Sequence, residues 1–360
     1  MDVILDGTPL LGPRTGIGQY VAHLYEALTT RPDVVPQLYA LTIRNGSRPS
    51  DVREGDWVRR TAPARLLQRA WAAASWPTAE LLLPRGDVLH ATNFVGPPTR
   101  RTPRVVTVHD LAFTRFPGTV HARTLRSAQL IRRQAVTADV VISPTQAVRD
   151  EVVEGLGVHP DRARVAHLGV DPSWSRAVPA SAAWRAEHGV PDQYLLAVGT
   201  QEPRKNLTAL VRAHEAAGPG RTLPLVVVGP AGWGEVVRSS RDVVVLPYQT
   251  ADVLQSLVAG ASTLVFPSRY EGFGLPVLEA LAAGTRVLAN DIPTLREVLG
   301  GCGRFVDATD PLALTEALVA VSADEAGDDE RRLGRERAST FTWAACAEAT
   351  VGAYRQALAG

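Results

Sequence analysis

Short β-branched runs separated by helical patterns recur along this chain, and they restrict what it can fold into. The first half carries VILD, RVVTVHD, DVVIS and ARVAHLG; the second carries YLLAVGT, LPLVVVG, DVVVLP, STLVFPS and TRVLAN. These runs are nearly all apolar and do not alternate with polar residues, as expected of parallel strands covered on both faces. Helix-period patterns lie at 17–28, 124–138, 207–217 and 275–283. Strands alternating with helices predict an α/β fold built from doubly wound parallel sheets.

The chain is 360 residues long, enough for two ordinary domains. The stretch GVDPSWSRAVPASAAWRAEHGVPDQ has three prolines after Asp171 and no strand run. It sets a boundary near residue 172. The expected organisation is a Rossmann-like domain over 1–172 and a second one over 173–342. A last helical pattern over 343–360 is placed to pack back towards the first. Two such sheets would face one another across a cleft, with ligands outside the carboxyl ends of their strands. The acidic, polar stretch 323–337 reads as exposed helix and loop.

Composition excludes other classes. With 45% hydrophobic and 21% charged residues, the chain is neither fibrous nor largely disordered. Two cysteines, Cys302 and Cys346, make neither a disulfide framework nor a metal motif, which favours a reduced, cytoplasmic setting. The start MDVILDGTPLL has no basic segment before a long apolar core, so no signal peptide is expected. No apolar run is long enough to span a bilayer. The net charge of +1 hides an asymmetry, because residues 1–171 carry 21 arginines against 16 acids. Segment 97–133 alone has eight arginines and one acid, Asp110. That segment fits a solvated face or a patch for an anionic partner or membrane surface. The stretch ARLLQRAWAAASW, 64–76, fits packing within the first domain or contact with a lipid.

Lysine occurs once, at Lys205 in GTQEPRKNL, against 37 arginines. It follows a strand and opens a helical pattern. Gly199 permits close backbone approach, and Arg204 adds a second cation. A basic pair at a helix start opposes the helix dipole, so an anion is expected there, a phosphate or diphosphate being the best fit. The second constellation is FPSRYEGFGLPVLEALAAG, in which a glycine-bearing loop precedes a helix with Pro276 in its first turn. The amides of Gly272, Phe273 and Gly274 suit anionic or hydroxyl groups. Glu271 in the loop and Glu279 in the helix suit sugar hydroxyls, or else a dipole partner and an ordinary helix-face residue. The third, GPRTGIGQYVAHL, places Gly16 and Gly18 before a helix, but too far from the strand for a dinucleotide fingerprint. The fourth, VVTVHDLAF, puts His109 and Asp110 at the carboxyl end of a strand without a Ser or Cys nucleophile motif. His90, in DVLHATNF, also ends a strand and ranks behind His109.

Together TGIGQY (15–20), HDL (109–111), GVD (169–171), GTQEPRKN (199–206) and EGFGLPVLE (271–279) resemble the retaining glycosyltransferases of family 4, with the GT-B fold. The resemblance covers nearly the whole chain. EGFGLPVLE is similar to the family's E-x7-E signature, and TGIGQY with VTVHDLAF most resembles its mannosyltransferase branch. The resemblance implies that Arg204 and Lys205 bind the donor diphosphate and that Glu279 holds the nucleotide ribose. It implies that Glu271 and the Phe273 and Gly274 amides contact the donor sugar, with Gly199, Gly272 and Leu275 in the same donor site. Gly16 and Gly18 would approach the phosphates, and His109 would contact the transferred sugar; His109, Glu271, Arg204 and Lys205 form the implied catalytic set. It implies no metal or other cofactor, a nucleoside diphosphate sugar as co-substrate with GDP-mannose favoured, and a glycan, lipid-linked or small-molecule acceptor. No nucleic-acid partner and, at most, peripheral contact with the inner face of a membrane are expected. Two positions depart from the family: SPTQ stands at 143–146 where SEFS is common, and Gln19 replaces a common arginine. The alternatives are a nucleotide-sugar epimerase on a similar scaffold, which converts donor alone, and a non-catalytic nucleotide-sugar-binding protein.

Overall fold

Buried, β-branched strands order two separate all-parallel sheets. The computed structural model describes residues 1–12, 14, 16–43, 47–119, 122–324 and 327–360. Thr15 of TGIGQY, residues 120–121 of the arginine-rich segment and 325–326 of the acidic stretch lie outside the described residues. The chain divides into two compact units: Met1–Gly169 with Thr342–Gly360, and Val170–Phe341.

The first unit holds strands β1 (Asp2–Asp6), β2 (Val35–Leu41), β3 (Trp57–Arg60), β4 (Val88–Ala91), β5 (Arg104–Thr107), β6 (Val140–Ser143) and β7 (Ala163–Val165). They pair in the order β3-β2-β1-β4-β5-β6-β7, every pair parallel. Strands β4, β5 and β6 are buried at every residue, which is why their sequences are nearly all apolar. The terminal helix Trp343–Ala359 belongs to this unit. Thr342 caps it by accepting from the Ala345 N–H, and its Tyr354 hydroxyl lies 2.7 Å from His90 Nδ1. Arg31 pairs with Glu348, and Arg355 with Asp33 at 2.7 Å, fixing the outer face of the same helix.

The second unit holds β8 (Leu195–Val198), β9 (Leu225–Val228), β10 (Val243–Leu246), β11 (Thr263–Phe266), β12 (Arg286–Asn290) and β13 (Arg304–Val306), in the order β10-β9-β8-β11-β12-β13. Its core packs Leu195, Ala197, Val227 and Val265 of the strands against Leu207 and Leu210 of the helix Leu207–Ala216 and Leu314 and Leu318 of the helix Pro311–Ala323. In each sheet the order of strands reverses beside the first strand, between β1 and β4 and between β8 and β11. Loops diverge there, leaving a crevice at the carboxyl ends that ligands of such sheets occupy.

Candidate functional site

The second unit's switch point is where Arg204, Lys205 and Glu271 meet. β8 leads into Gly199, and a 3-10 turn over Pro203–Lys205 follows. β11 leads into the loop that carries Glu271. The two loops are tied by the Arg269 N–H donating to the Arg204 carbonyl at 2.8 Å. Glycines let the backbones come this close. A Cβ on Gly229, at the end of β9, would stand 2.1 Å from the Gly199 carbonyl oxygen. A Cβ on Gly199 would stand 3.5 Å from Lys205 Cδ, so the lysine stem folds back over that glycine.

The expectation that Lys205 opens the following helix is corrected. Asn206 intervenes in the left-handed region at φ 57°, and the helix starts at Leu207. Asparagine tolerates that conformation, and its Nδ2 donates to the Ala308 carbonyl at 2.9 Å. The turn directs both cations across to the β11 loop.

The anion facing the basic pair is the Glu271 carboxylate. Lys205 Nζ donates to Oε1 at 2.5 Å and Arg204 Nη1 to Oε2 at 3.2 Å. Glu202, which the sequence reading did not single out, takes Arg204 Nε at 2.7 Å. Both glutamates are buried, and the four groups are formally neutral together. Burial alone would raise the Glu271 carboxyl. The Lys205 and Arg204 cations, with hydrogen bonds from Lys205 and Ser268, outweigh it and hold the carboxyl below the usual range. Thr294 Oγ1 donates to the Glu271 carbonyl at 3.0 Å, and the Lys205 ammonium sits 5.2 Å from the Phe266 ring centre.

Past Glu271 the loop Gly272–Gly274 is buried and turns into the helix Leu275–Ala283. Gly274 sits at φ +92°, and a Cβ there would come within 2.8 Å of Leu295 Cδ2, so only glycine fits without displacement. Leu275 and Pro276 open the helix, where the Leu275 N–H has no carbonyl partner within the helix and proline has no N–H to satisfy. Glu279, one turn on, is half-buried. Among the described residues no hydrogen bond or ion pair reaches its carboxylate, and burial pushes it up to about 8. The loop after β9 also borders this site. Cβ atoms on Gly232 and Gly234 would stand 2.5 and 2.9 Å from the Gln201 carbonyl, so GPAGWG lies flat against the β8 loop. Three glycines directly after a strand were the sequence signal for it.

The first unit's switch-point edge holds His109. It is buried between Tyr20 and Phe94, at ring distances of 5.0 and 5.6 Å, and Nε2 lies 2.7 Å from the Thr92 carbonyl. A carbonyl only accepts, so Nε2 carries the proton and Nδ1 is left as an acceptor. Burial lowers the imidazole's affinity for a second proton, against the pull of the Thr92 carbonyl and Asp110, and keeps the ring neutral. His90 is different. Both its nitrogens are taken, by Tyr354 and by Thr107 Oγ1 at 2.7 Å, and burial holds it at about 3. It is a core residue joining β4 to the terminal helix. Gly16 and Gly18 lie in the first turn of the helix Gly16–Thr29 rather than in a loop before it. A Cβ on Gly18 would be 3.2 Å from the Pro9 carbonyl, whereas one on Gly16 would meet nothing within 4 Å.

Comparison with known proteins decides the family. The family described as Glycosyltransferase Family 4 matches residues 14–174, and Glycosyl transferases group 1 matches residues 192–324. The chain belongs to the family 4 glycosyltransferases. It is 26% identical to O-antigen chain mannosyltransferase B of Escherichia coli, over 99% of this chain and 100% of that one. It is 32% identical to D-inositol 3-phosphate glycosyltransferase of Nocardia farcinica, over 72% of this chain and 62% of that one. Among solved structures it is similar to sucrose-phosphate synthase from Thermosynechococcus elongatus, with a TM-score of 0.76, 22% identity, and coverage of 100% and 99%. It is also similar to Anabaena HepE solved with UDP-glucose, with a TM-score of 0.67, 16% identity, and 98% coverage of each chain. These likenesses agree with two Rossmann-like domains of the GT-B kind, and the protein is a glycosyltransferase.

Proposed function

We propose that this glycosyltransferase is a retaining, metal-independent hexosyltransferase of the cytoplasm. It moves mannose from GDP-mannose to an acceptor hydroxyl on a glycan, a lipid-linked glycan or a small molecule. The observation that carries the reading is the Glu202–Arg204–Lys205–Glu271 cluster at the β8–β11 switch point. Mannose is favoured by the full-length similarity to a mannosyltransferase.

In this reading the donor's diphosphate lies against Arg204 and Lys205. The Gly272–Leu275 amides supply further donors to the phosphates and sugar, and the unpartnered Glu279 carboxyl, protonated in the fold at neutral pH, bonds the ribose hydroxyls. Because the ion cluster is already neutral, the diphosphate gains little from bulk charge. It gains from charge-assisted hydrogen bonds that strengthen as the anomeric C–O bond breaks and charge builds on the departing phosphate. The acceptor oxygen bonds the anomeric carbon on the face that the phosphate leaves, and the acceptor proton passes to a phosphate oxygen. Both Glu271 oxygens are engaged by cations, which suits a positioning group better than a nucleophile. On the first unit, His109 Nδ1 contacts a hydroxyl of the transferred sugar, and Gly16 and Gly18 give backbone access to phosphate.

The test is a panel of nucleoside diphosphate sugars, with release of nucleoside diphosphate and the anomeric configuration of the product as readouts. GDP-mannose should turn over with its configuration kept. An inverted product removes the retaining assignment, and conversion of donor without acceptor or hydrolysis favours an epimerase. Binding of every donor without turnover leaves a binding protein.

A further inference from the structure

His109 is held by more than its own hydrogen bond. The bond from Nε2 to the Thr92 carbonyl fixes a single ring atom and leaves the plane of the imidazole free to rock. Two aromatic rings stop it. Tyr20 makes a T-shaped contact with His109 at 5.0 Å and 79°, and Phe94 makes another at 5.6 Å and 75°.

Both rings are anchored on one residue. Thr107 ends β5, two positions before His109. Its hydroxyl lies 3.0 Å from the Tyr20 hydroxyl, and its carbonyl accepts the Phe94 N–H at 3.0 Å. The same hydroxyl lies 2.7 Å from His90 Nε2, and His90 Nδ1 meets the Tyr354 hydroxyl of the terminal helix. Tyr20, Thr107, His90 and Tyr354 are all buried, so each link in this chain is costly to leave unmade.

Phe94 carries a second mark. Its φ is +63°, and across it the Val95 N–H donates to the Asn93 carbonyl at 2.6 Å. That is a γ-turn with its central residue at positive φ, the rare and strained form. A bulky aromatic is an uncommon occupant of that region. Here the turn delivers the Phe94 ring to His109, and the ring also contacts Phe113 at 6.4 Å. Packing alone explains neither choice. Phenylalanine at position 20 would fill the same space, and glycine at position 94 would make the turn without strain.

We propose that Tyr20 and Phe94 are positioning residues of the transfer reaction, a clamp fastened to Thr107 that sets the direction of His109 Nδ1. The inference rests on the reading that His109 Nδ1 meets a hydroxyl of the transferred sugar. It gives the tyrosine that ends TGIGQY a task that the glycines of that motif do not perform. Donor affinity is assigned to Arg204 and Lys205, so loosening the clamp should reach kcat and leave KM for the donor nearly unchanged.

The test is GDP release from GDP-mannose by the full chain, with water as acceptor, in Y20F, F94G, T107V, T107S and H109A. A misplacement of about 1 Å costs on the order of 100-fold, so an imidazole freed by a fraction of that should cost about tenfold. Y20F, F94G and T107V should each lower kcat about tenfold and move KM by less than about twofold, and T107S, which keeps the hydroxyl, should recover most of the loss. T107V also leaves His90 Nε2 without its partner and lowers stability, so Y20F and F94G carry the decision. In the H109A background these two should cause no further loss, because they act through a ring that is gone. The same loss with and without His109 marks a general structural role and overturns the inference. A large loss in H109A with wild-type kcat in both Y20F and F94G overturns the inference alone. Full turnover by H109A, or no GDP release by the wild type, overturns the reading of the site and the inference with it.

Discussion

Glu271→Gln removes one negative charge and leaves the shape of the site nearly unchanged. In the wild type both carboxylate oxygens are engaged, by Lys205 Nζ at 2.5 Å and Arg204 Nη1 at 3.2 Å. Breaking a fully buried pair by removing one partner costs about 3–5 kcal/mol, whereas an exposed pair is worth about 0–1. The Lys205 and Arg204 side chains keep 13% and 20% of their surface in water, and Arg204 keeps Glu202. The expected loss is therefore about 2–3 kcal/mol, between the exposed and the buried ranges. For a unit of this size that lowers the melting temperature by roughly 5–10 °C. Urea unfolding of the full chain measures it through the midpoint and slope. The pH dependence gives a second handle. The Glu271 carboxyl is held below its ordinary value of 4.5 in the fold. Its contribution is present above 4.5 and is lost as pH falls through the lowered folded value. The gap between wild type and variant should hold steady at neutral pH and close in acid. Equal stability at neutral pH, or a gap that persists undiminished in strong acid, would refute the reasoning.

Glu279→Gln tests the opposite sign. The folded carboxyl keeps its proton up to about 8 while the unfolded one releases it near 4.5. The wild type should therefore lose stability as pH rises through that interval, and the glutamine variant should not, so the variant should be the more stable at alkaline pH and level in acid. Thermal melts across pH check this, and parallel curves would contradict it. Gly274→Ala forces a side chain into φ +92° and to 2.8 Å from Leu295 Cδ2, which should cost about 1–3 kcal/mol in urea unfolding and weaken nucleoside diphosphate binding. An unchanged midpoint would show that the loop gives way freely. His109→Ala should lower turnover more than donor affinity, since a neutral, buried ring contributes little to holding a diphosphate; steady-state kinetics showing only a raised KM would count against its assigned contact.

Much of the fold is legible because buried parallel strands have to be apolar. β1, β5, β6, β7 and β8 to β12 all appear as apolar runs in the sequence, and DVLHATNF marks β4. β2 hides because Pro36 and Gln37 interrupt its run. β3, WVRR, and β13, RFV, lie at sheet edges without a fully buried residue, so burial never demanded an apolar run there. At the site, the lone lysine and the paired glutamates mark the right loops. The sequence did not disclose that the anion opposite Lys205 is Glu271 itself, because that contact joins residues 66 positions apart. Glu202 acquires a role only once Arg204 folds back on it. His90 and His109 look alike as strand-end histidines, and only the partners on both His90 nitrogens separate them.

Calorimetric titration of GDP, GMP and guanosine into wild type and Lys205→Ala puts the donor-diphosphate assignment to the most direct trial. Loss of one charge-assisted contact of about 1.5–3 kcal/mol should weaken GDP roughly 10- to 100-fold and leave guanosine nearly unaffected. If the variant binds GDP as tightly as the wild type, Lys205 does not hold the diphosphate and the account of the site is wrong.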